Sequence, residues 1–278
     1  MWKLQTNCRY GIGVAAFLLS TMTFPGLQST SIADDCVADF KHWVAANGEC
    51  IAIEKFGFPD EKSTSLIVYL HGDTQETQRS RLRENESIGT IGVVSVALIR
   101  PGFERHDSKR STGWIWRDKD SYTPDNIEII AAAIKAMKDH FRANKVILAG
   151  KSGGAAVTGI IMGKYPGLAN DAVLAACPCH VPEWRVKRRG ENNWPNSLSP
   201  HSFVDGVPKN SRIVAMVGSE DDNTYPSLSR DYVAALKARG IEAAYVEIEG
   251  MGHNRIDRTD TFEDAILQLI EGPYTAPD

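Results

Sequence analysis

The segment "KVILAGKSGGAAV", Lys145 to Val157, contains two overlapping triplets that point to different chemistries. "GKS" resembles the end of a phosphate-binding loop, which requires G-x-x-x-x-G-K-[ST]. Five residues before Gly150 the chain has Lys145, and the residues between them are apolar rather than glycine-rich. "GKSGG" instead fits G-x-S-x-G, in which a sharp strand-to-helix turn presents a serine. The sequence therefore predicts Ser152 as a nucleophile.

A nucleophilic serine needs a base, and the base needs an acid that orients it. In enzymes with this turn, the acid and then the histidine follow the serine along the chain. The acid is expected after the apolar run "RIVAMV", where "GSEDDNTYP" offers Asp221, with Asp222 and then Glu220 as alternatives. His253, in "EGMGHNR", follows both the serine and these acids. We therefore predict a Ser152, Asp221 and His253 triad.

Acyl transfer to a serine also needs hydrogen-bond donors for the oxyanion. The backbone N–H of Gly153, directly after the serine, is one candidate donor. The second is expected in "HGDTQ", which follows the apolar run "SLIVYL", and we assign it to the backbone N–H of Asp73. His71 is interpreted as a structural loop residue without a role in proton transfer.

Short apolar runs alternate with helical patterns along the chain. The runs that read as buried strands are Ser65–Leu70, Ile91–Leu98, Lys145–Ala149, Ala172–Cys177, Arg212–Val217 and Ala243–Ile248. The positions with helical spacing are Ile127, Ile130, Ile134, Met137 and Phe141, then Leu228, Tyr232 and Leu236, then Phe262, Ile266 and Ile270. Nearly continuous apolar strands are typical of a parallel sheet buried on both faces. The alternation predicts an α/β fold with a mostly parallel sheet.

Composition limits the possible functions. The 278 residues are 42% hydrophobic and 24% charged, with a formal net charge of -4, which is ordinary for a globular protein. No basic stripe is present, so nucleic acid is not expected as a partner. The short basic cluster "RVKRR", Arg185 to Arg189, is interpreted as a solvated loop. We expect no cofactor and no metal ion.

The first 33 residues have the layout of a secretory signal peptide. Lys3 and Arg9 precede the apolar run "GIGVAAFLLSTMTF", and Ser31 and Ala33 suit a cleavage site. The run is shorter than the roughly 20 residues that span a bilayer. Cleavage after Ala33 would remove two positive charges, so the formal charge would change from -4 to -6. We expect an exported, periplasmic or extracellular protein without a membrane anchor.

Four cysteines follow the predicted signal peptide. An even number in an exported protein favours disulfides. Cys36 and Cys50 flank a short amphipathic segment, which favours a local bridge between them. Cys177 and Cys179, in "CPC", leave three alternatives: a bridge to each other, a reactive redox pair, or a metal site with His180, which lacks a second ligand pair.

With these residues in place, the chain resembles the α/β-hydrolases. Residues 198–254 are similar to prolyl-oligopeptidase-like and dienelactone-hydrolase-like enzymes, and "IRPGFERHDS" resembles their R-P-G-[YF] loop. The resemblance implies the α/β-hydrolase fold with helices on both faces of the sheet, together with a serine mechanism. The chain departs from prolyl oligopeptidases at Gly153, where those enzymes usually carry tyrosine.

The resemblance also bears on domain organisation. Residues 34–278 are expected to form a single domain. The chain between Cys179 and Ser211 is too short for a large cap domain, so we predict a short lid segment at about 180–200. Residues that could line a substrate pocket are Trp114, Trp116, Trp184 and Trp194, although ordinary packing is an equal alternative for each.

Three functional hypotheses follow from these patterns. The leading one is an exported serine hydrolase that cleaves a small-molecule carboxylic ester through an acyl-enzyme. A prolyl-oligopeptidase-like peptidase acting on short peptides is the alternative within the same class. The others are a non-catalytic binding protein on a hydrolase scaffold and thiol-disulfide chemistry at "CPC".

Overall fold

The computed structural model describes residues 36–62, 64–73, 92–115, 122–272 and 274–275. The predicted signal peptide, residues 1–33, and Trp116 lie outside this part of the chain. The strands are β1 (Trp43–Ala46), β2 (Glu49–Phe58), β3 (Ser65–Leu70), β4 (Val93–Leu98), β5 (Lys145–Lys151), β6 (Asp171–Ala175), β7 (Arg212–Gly218) and β8 (Glu242–Ile248). The helices are α1 (Pro124–His140), α2 (Gly153–Lys164), α3 (Val181–Arg189), α4 (Pro226–Ala238) and α5 (Asp260–Glu271), with 3-10 turns at Pro200–Gly206 and Ile256–Arg258.

The eight strands form one sheet in the order β1-β2-β4-β3-β5-β6-β7-β8. All pairs from β4 to β8 are parallel, whereas β2 pairs antiparallel with both β1 and β4. The carboxyl ends of the parallel strands therefore meet at one edge of the sheet. None of the described helices is long and apolar enough to cross a bilayer.

The sheet is buried on both faces, which explains its continuous apolar strands. In β3, Leu66, Val68 and Leu70 face one core together with α1, α2 and α4. Ile67 and Tyr69 face the second core, which α5 covers. This arrangement confirms the predicted α/β-hydrolase fold class.

The chain before β3 contains a hairpin that was not predicted from the sequence. The segment between Cys36 and Cys50, read as amphipathic, forms strand β1 and the start of β2, joined as a hairpin. Its turn is Asn47-Gly48, and both residues have positive φ, 47° and 79°. Positive φ at both positions suits a two-residue hairpin turn, for which Asn-Gly is a strong local signal. A disulfide between Cys36 and Cys50 closes this region.

Helix α2 lies very close to the 3-10 turn Pro200–Gly206. A Cβ on Gly163 would overlap the carbonyl oxygen of Phe203, and a Cβ on Gly206 would overlap the carbonyl oxygen of Gly163. Two glycines therefore permit backbone contact between α2 and the chain that leads into β7.

We expect Gly163→Ala to destabilise the protein, although alanine in a helix interior is normally favoured by about 1 kcal/mol over glycine. The new methyl group meets backbone that cannot rotate away, so the net loss is expected to be roughly 2 kcal/mol or more. Urea unfolding measures it. Gly272→Ala is the matched control, because its added Cβ meets nothing within 4 Å. Equal stabilities of the two variants would contradict the close contact.

Candidate active site

The turn between β5 and α2 presents Ser152 at the carboxyl edge of the sheet. Its backbone has φ 52° and ψ -119°, a conformation that a residue with a side chain rarely adopts. A Cβ on Gly150 would overlap the backbone of Gly154, and a Cβ on Gly154 would overlap the carbonyl oxygen of Leu70. Both glycines of G-x-S-x-G are therefore required by the approach of α2 to β5 and β3.

The structure brings the three predicted triad residues together. The Nε2 atom of His253 lies 3.1 Å from Ser152 Oγ, and its Nδ1 atom lies 3.0 Å from Asp221 Oδ2. With the proton on Nδ1, the imidazole donates to Asp221 and can accept the Ser152 hydroxyl proton at Nε2. This geometry is that of a nucleophile, a general base and an orienting acid.

Asp221 is buried and held by its own loop. The backbone N–H groups of Asn223 and Thr224 donate to Oδ1 at 2.9 and 2.8 Å, and Thr224 Oγ1 donates to Oδ2 at 2.7 Å. Burial raises the pKa of Asp221, but hydrogen bonds from His253 and Thr224 outweigh it, so the pKa is lowered below its usual value. Asp222 is exposed. The carboxylate that contacts the imidazole is therefore Asp221, and it is ionised at neutral pH.

The loop after β3 lies against the serine from the other side. A Cβ on Gly72 would lie 3.4 Å from Ser152 Cβ and 4.0 Å from Ser152 Oγ. Gly153 is the first residue of α2, so its N–H has no acceptor within the helix. Among the described residues, the hydrogen bonds of Asp73 are made by its carboxylate. The two backbone donors predicted for an oxyanion thus lie in the two segments that flank Ser152.

The side chain of Asp73 has hydrogen-bond partners that were not predicted from the sequence. Arg100 Nη2 donates to Asp73 Oδ1 at 2.6 Å and to Gly72 O at 2.8 Å, and the Tyr122 hydroxyl donates to Asp73 Oδ2. Burial and the charge of Asp73 hold the pKa of Tyr122 well above its usual value. A Cβ on Gly153 would overlap the Asp73 carboxylate. The Asp73 carboxylate, whose charge is balanced by Arg100, therefore lies directly beside Gly153, the proposed oxyanion donor.

His71 has the structural role that its loop position indicated. It is buried, its Nδ1–H donates to Gly72 O at 2.7 Å, and its Nε2 accepts from the Arg100 N–H at 3.0 Å. Burial and the charge of Arg100 lower its pKa well below the usual value, so the ring is neutral. A neutral ring bonded at both nitrogens fixes the loop that carries Asp73.

The predicted lid segment, residues 180–200, contains α3. The basic cluster was interpreted as a solvated loop, but it is the second half of this helix, and Arg185 is buried while residues 187–189 are exposed. The helical period explains the difference, because Arg185 shares the inward face with Trp184.

The tryptophans predicted to line a pocket differ in their burial. Trp184 and Trp194 are buried, with ring centroids 5.4 Å apart, and Trp194 also packs edge-on against Tyr122 at 5.4 Å. The Trp184 indole N–H donates to Asn223 O at 2.9 Å, next to Asp221. Trp114 is 70% exposed. Two of the four candidate residues therefore border the site, and the position of Trp116 is not described.

Cys177 and Cys179 are bonded to each other and fully buried. They follow β6 at the carboxyl edge, and the carbonyl oxygen of Cys179 accepts from the N–H of His201 at 3.0 Å and from Ser199 Oγ at 3.2 Å. The bond therefore lies where the segment 180–200 leaves the sheet. Cysteines joined in a disulfide carry no thiolate, so this bonded pair does not ligate a metal ion.

Three contributing residues were missed by sequence reasoning. Thr224 could have been identified from the sequence. An Asp followed three residues later by Thr is typical of a local turn in which the Asp carboxylate accepts hydrogen bonds from backbone N–H groups. Arg100 lies in the R-P-G-[YF] loop, to which the resemblance assigned no role. Tyr122 had no local signal, because it reaches Asp73 from 49 residues away.

Comparison with known proteins gives a family match. The model of the prolyl oligopeptidase family matches residues 108–269, which is more than half of the chain. The matched region includes Ser152, Asp221 and His253. No curated protein matches the sequence.

Solved structures share the fold at low sequence identity. An esterase from Pyrococcus furiosus has a TM-score of 0.62 at 10% identity, with 82% of this chain and 88% of that chain covered. A thermophilic esterase from Thermogutta terrifontis, with propionate bound, has a TM-score of 0.58 at 18% identity, covering 82% and 92%. A puromycin-hydrolysing peptidase from Mycobacterium tuberculosis has a TM-score of 0.59 at 15% identity; the match covers 74% of this chain but 34% of that one. The chain therefore spans about a third of that peptidase.

The Arg100–Asp73 pair generates a prediction about Ser152. In Arg100→Met, the Asp73 carboxylate loses its cation while it lies beside the Gly153 N–H, where negative charge would develop on an oxyanion. We expect the rate of fluorophosphonate labelling of Ser152 to fall roughly 100-fold, a loss typical of removing an oxyanion donor.

The double variant Asp73→Asn/Arg100→Met separates charge from structure. Because the double variant has no uncompensated carboxylate, we expect the probe to label its Ser152 at least 10-fold faster than in Arg100→Met. A difference of this size is ordinary for a charge placed next to an oxyanion. Circular dichroism melting of all variants reports the fold. A double variant no faster than Arg100→Met would show that the Asp73 charge does not oppose the reaction.

Proposed function

We propose that the chain, which belongs to the prolyl oligopeptidase family, is an exported serine hydrolase that cleaves small-molecule carboxylic esters. The observation that carries this proposal is the continuous contact from Ser152 Oγ through His253 to buried Asp221, with separations of 3.1 and 3.0 Å. A binding protein on the same scaffold does not need these three residues in hydrogen-bond contact.

The proposed first half-reaction is acylation. His253 Nε2 takes the hydroxyl proton as Ser152 Oγ attacks the ester carbonyl carbon. The N–H groups of Gly153 and Asp73 hold the resulting oxyanion, and Asp221 stabilises the imidazolium. His253 then gives the proton to the alkoxy oxygen, so the alcohol leaves and the acyl group stays on Ser152.

The second half-reaction is hydrolysis of the acyl-enzyme. His253 takes a proton from water, and the hydroxide formed attacks the acyl carbon through a second oxyanion in the same position. Collapse breaks the bond to Ser152 Oγ, which regains its proton from His253. The carboxylic acid is released, and no cofactor takes part in either step.

Esters are favoured over peptides by the extent of the structural likeness. The match covers 88% and 92% of two esterases, but 34% of the puromycin-hydrolysing peptidase and 40% of an acylaminoacyl peptidase from Pyrococcus horikoshii. Family membership supports peptides as the alternative substrate class. Export is supported by the signal-peptide pattern and by the two disulfides, because disulfides persist in oxidising compartments.

Activity-based labelling tests the hydrolase proposal. Wild-type protein is expected to react with a fluorophosphonate probe, because the probe captures a serine activated by a base. Ser152→Ala is the matched control and is expected to remain unlabelled. Absence of wild-type labelling, or equal labelling of Ser152→Ala, would refute the proposal.

Matched substrates decide between esters and peptides. We expect 4-nitrophenyl esters to be hydrolysed with a higher kcat/KM than 4-nitroanilides of the same acyl group, beyond the difference in their uncatalysed rates. Succinyl-Gly-Pro-4-nitroanilide serves as the peptide probe. A kcat/KM for that peptide above those of all the esters would assign the chain to the peptidases.

The acid assignment has its own test. Asp221→Asn is expected to lower kcat roughly 10⁴-fold, because the imidazole loses its orientation and the charge that stabilises imidazolium. Asp222→Asn removes a neighbouring charge that does not contact His253, and we expect less than a threefold change, as for an ordinary surface substitution. Steady-state ester hydrolysis measures both. The reverse ranking would transfer the role to Asp222.

A further inference from the structure

Arg185 is a buried cation without a carboxylate partner among the described residues. It is 6% exposed, and its guanidinium lies 4.3 Å from the ring centre of Trp194 and 5.0 Å from that of Trp184. Its Nε donates to Asn193 Oδ1 at 2.8 Å. Within the described chain, Nη1 and Nη2 meet no hydrogen-bond acceptor, yet they are not sealed from solvent. Buried charges are normally paired, so this cation has capacity for a ligand.

The acids around Arg185 are already occupied. Asp73 is bound by Arg100 and Tyr122, and Glu183 is paired with Lys187 at 2.8 Å. Arg188 and Arg189 add further positive charge to the same helix. Burial and these two arginines lower the pKa of Arg185 by more than Tyr122 and Asp73 raise it. Arginine nevertheless remains charged at physiological pH.

A series of contacts places Arg185 between the two sides of the active site. On one side, Trp184 donates to Asn223 O, and the Asn223 N–H donates to Asp221. On the other, Trp194 packs against Tyr122, whose hydroxyl is bonded to Asp73 beside Gly153. Arg185 contacts both tryptophans and is therefore linked through them to the Asp221 loop and to the Asp73 loop.

We propose that Arg185 binds a carboxylate carried by the substrate, so that the enzyme prefers esters bearing a free carboxylate. The guanidinium offers planar donors that match a carboxylate in a paired geometry. The two indole rings hold it in place and exclude water from its faces. This inference rests on the proposed serine hydrolase function and assigns the substrate class of the same site.

Wild-type kinetics give the first test. The anionic substrates are 4-acetoxybenzoate, with the charge on the leaving group, and mono-4-nitrophenyl adipate, with the charge on the acyl group. Their matched neutral substrates are 4-acetoxybenzamide and the 4-nitrophenyl ester of adipamic acid. In at least one pair, we expect the anionic ester to have a kcat/KM roughly 10-fold or more above its neutral match, as for a charge-assisted hydrogen bond. No preference in either pair would overturn the inference without any variant.

Substitution gives the second test. Arg185→Gln is expected to abolish the preference and to change kcat/KM for the neutral ester less than threefold. Arg189→Gln removes the same charge from the exposed end of the same helix and is expected to keep the preference. An equal loss of kcat/KM for the anionic and neutral esters in Arg185→Gln would show that Arg185 has a structural role only. Thermal melting of the variant would identify misfolding.

Two further readouts separate this inference from the proposed function. Fluorophosphonate labelling of Ser152 uses a neutral probe, so a labelled enzyme without anion preference would overturn only the role of Arg185. Calorimetric binding of adipate and 4-hydroxybenzoate needs no catalysis. We expect wild-type protein to bind one of them and Arg185→Gln to bind it at least 10-fold more weakly, the effect of losing a charged hydrogen-bond partner. Equal binding would contradict the site even if no ester were cleaved.

Discussion

The left-handed backbone of Ser152 is the constraint on which the rest of the site depends. Such a conformation costs about 1–3 kcal/mol and persists only where its surroundings hold it. Here α2 lies directly on β5 and β3, since Gly150 and Gly154 have no Cβ to keep them apart. The same close approach brings Gly72 to the serine. The histidine loop and the Asp73 carboxylate are then arranged around an edge whose geometry is already fixed.

The charged side chains at this edge are compensated in different ways, and the differences indicate their roles. Asp221 is matched by His253, Thr224 and two backbone N–H groups, while Asp73 is matched by Arg100 and Tyr122. Both carboxylates are therefore internally satisfied parts of the apparatus. Arg185 has aromatic faces and one amide oxygen instead of an anion. In a poorly solvated site, such an imbalance is costly unless a ligand restores neutrality.

Sequence reasoning succeeded where a residue directly follows a strand. Buried parallel strands have continuous apolar patterns, and Ser152 and His253 stand just beyond two of them, so the sequence predicted both the fold and the edge at which they meet. The hairpin of β1 and β2 was not predicted, although Asn47-Gly48 is a local signal for its turn. The partners of Asp73 could not be predicted, since Tyr122 reaches it from a distant segment. Arg185 was misread because a basic cluster shows its charge but not which helical face is buried.

The segment 180–200 contacts the loop that holds Asp221, which has a consequence for substrate recognition. Trp184 bonds the backbone oxygen of Asn223, and the N–H of the same residue bonds Asp221. A displacement of α3 would therefore alter the loop that holds the acid, so the position of the segment and the orientation of His253 are coupled. A ligand anion at Arg185 would neutralise a buried charge in this segment. Substrate charge would then act beside Trp184, which contacts the Asp221 loop, and this is how a short segment can set specificity on a fold that hosts many activities.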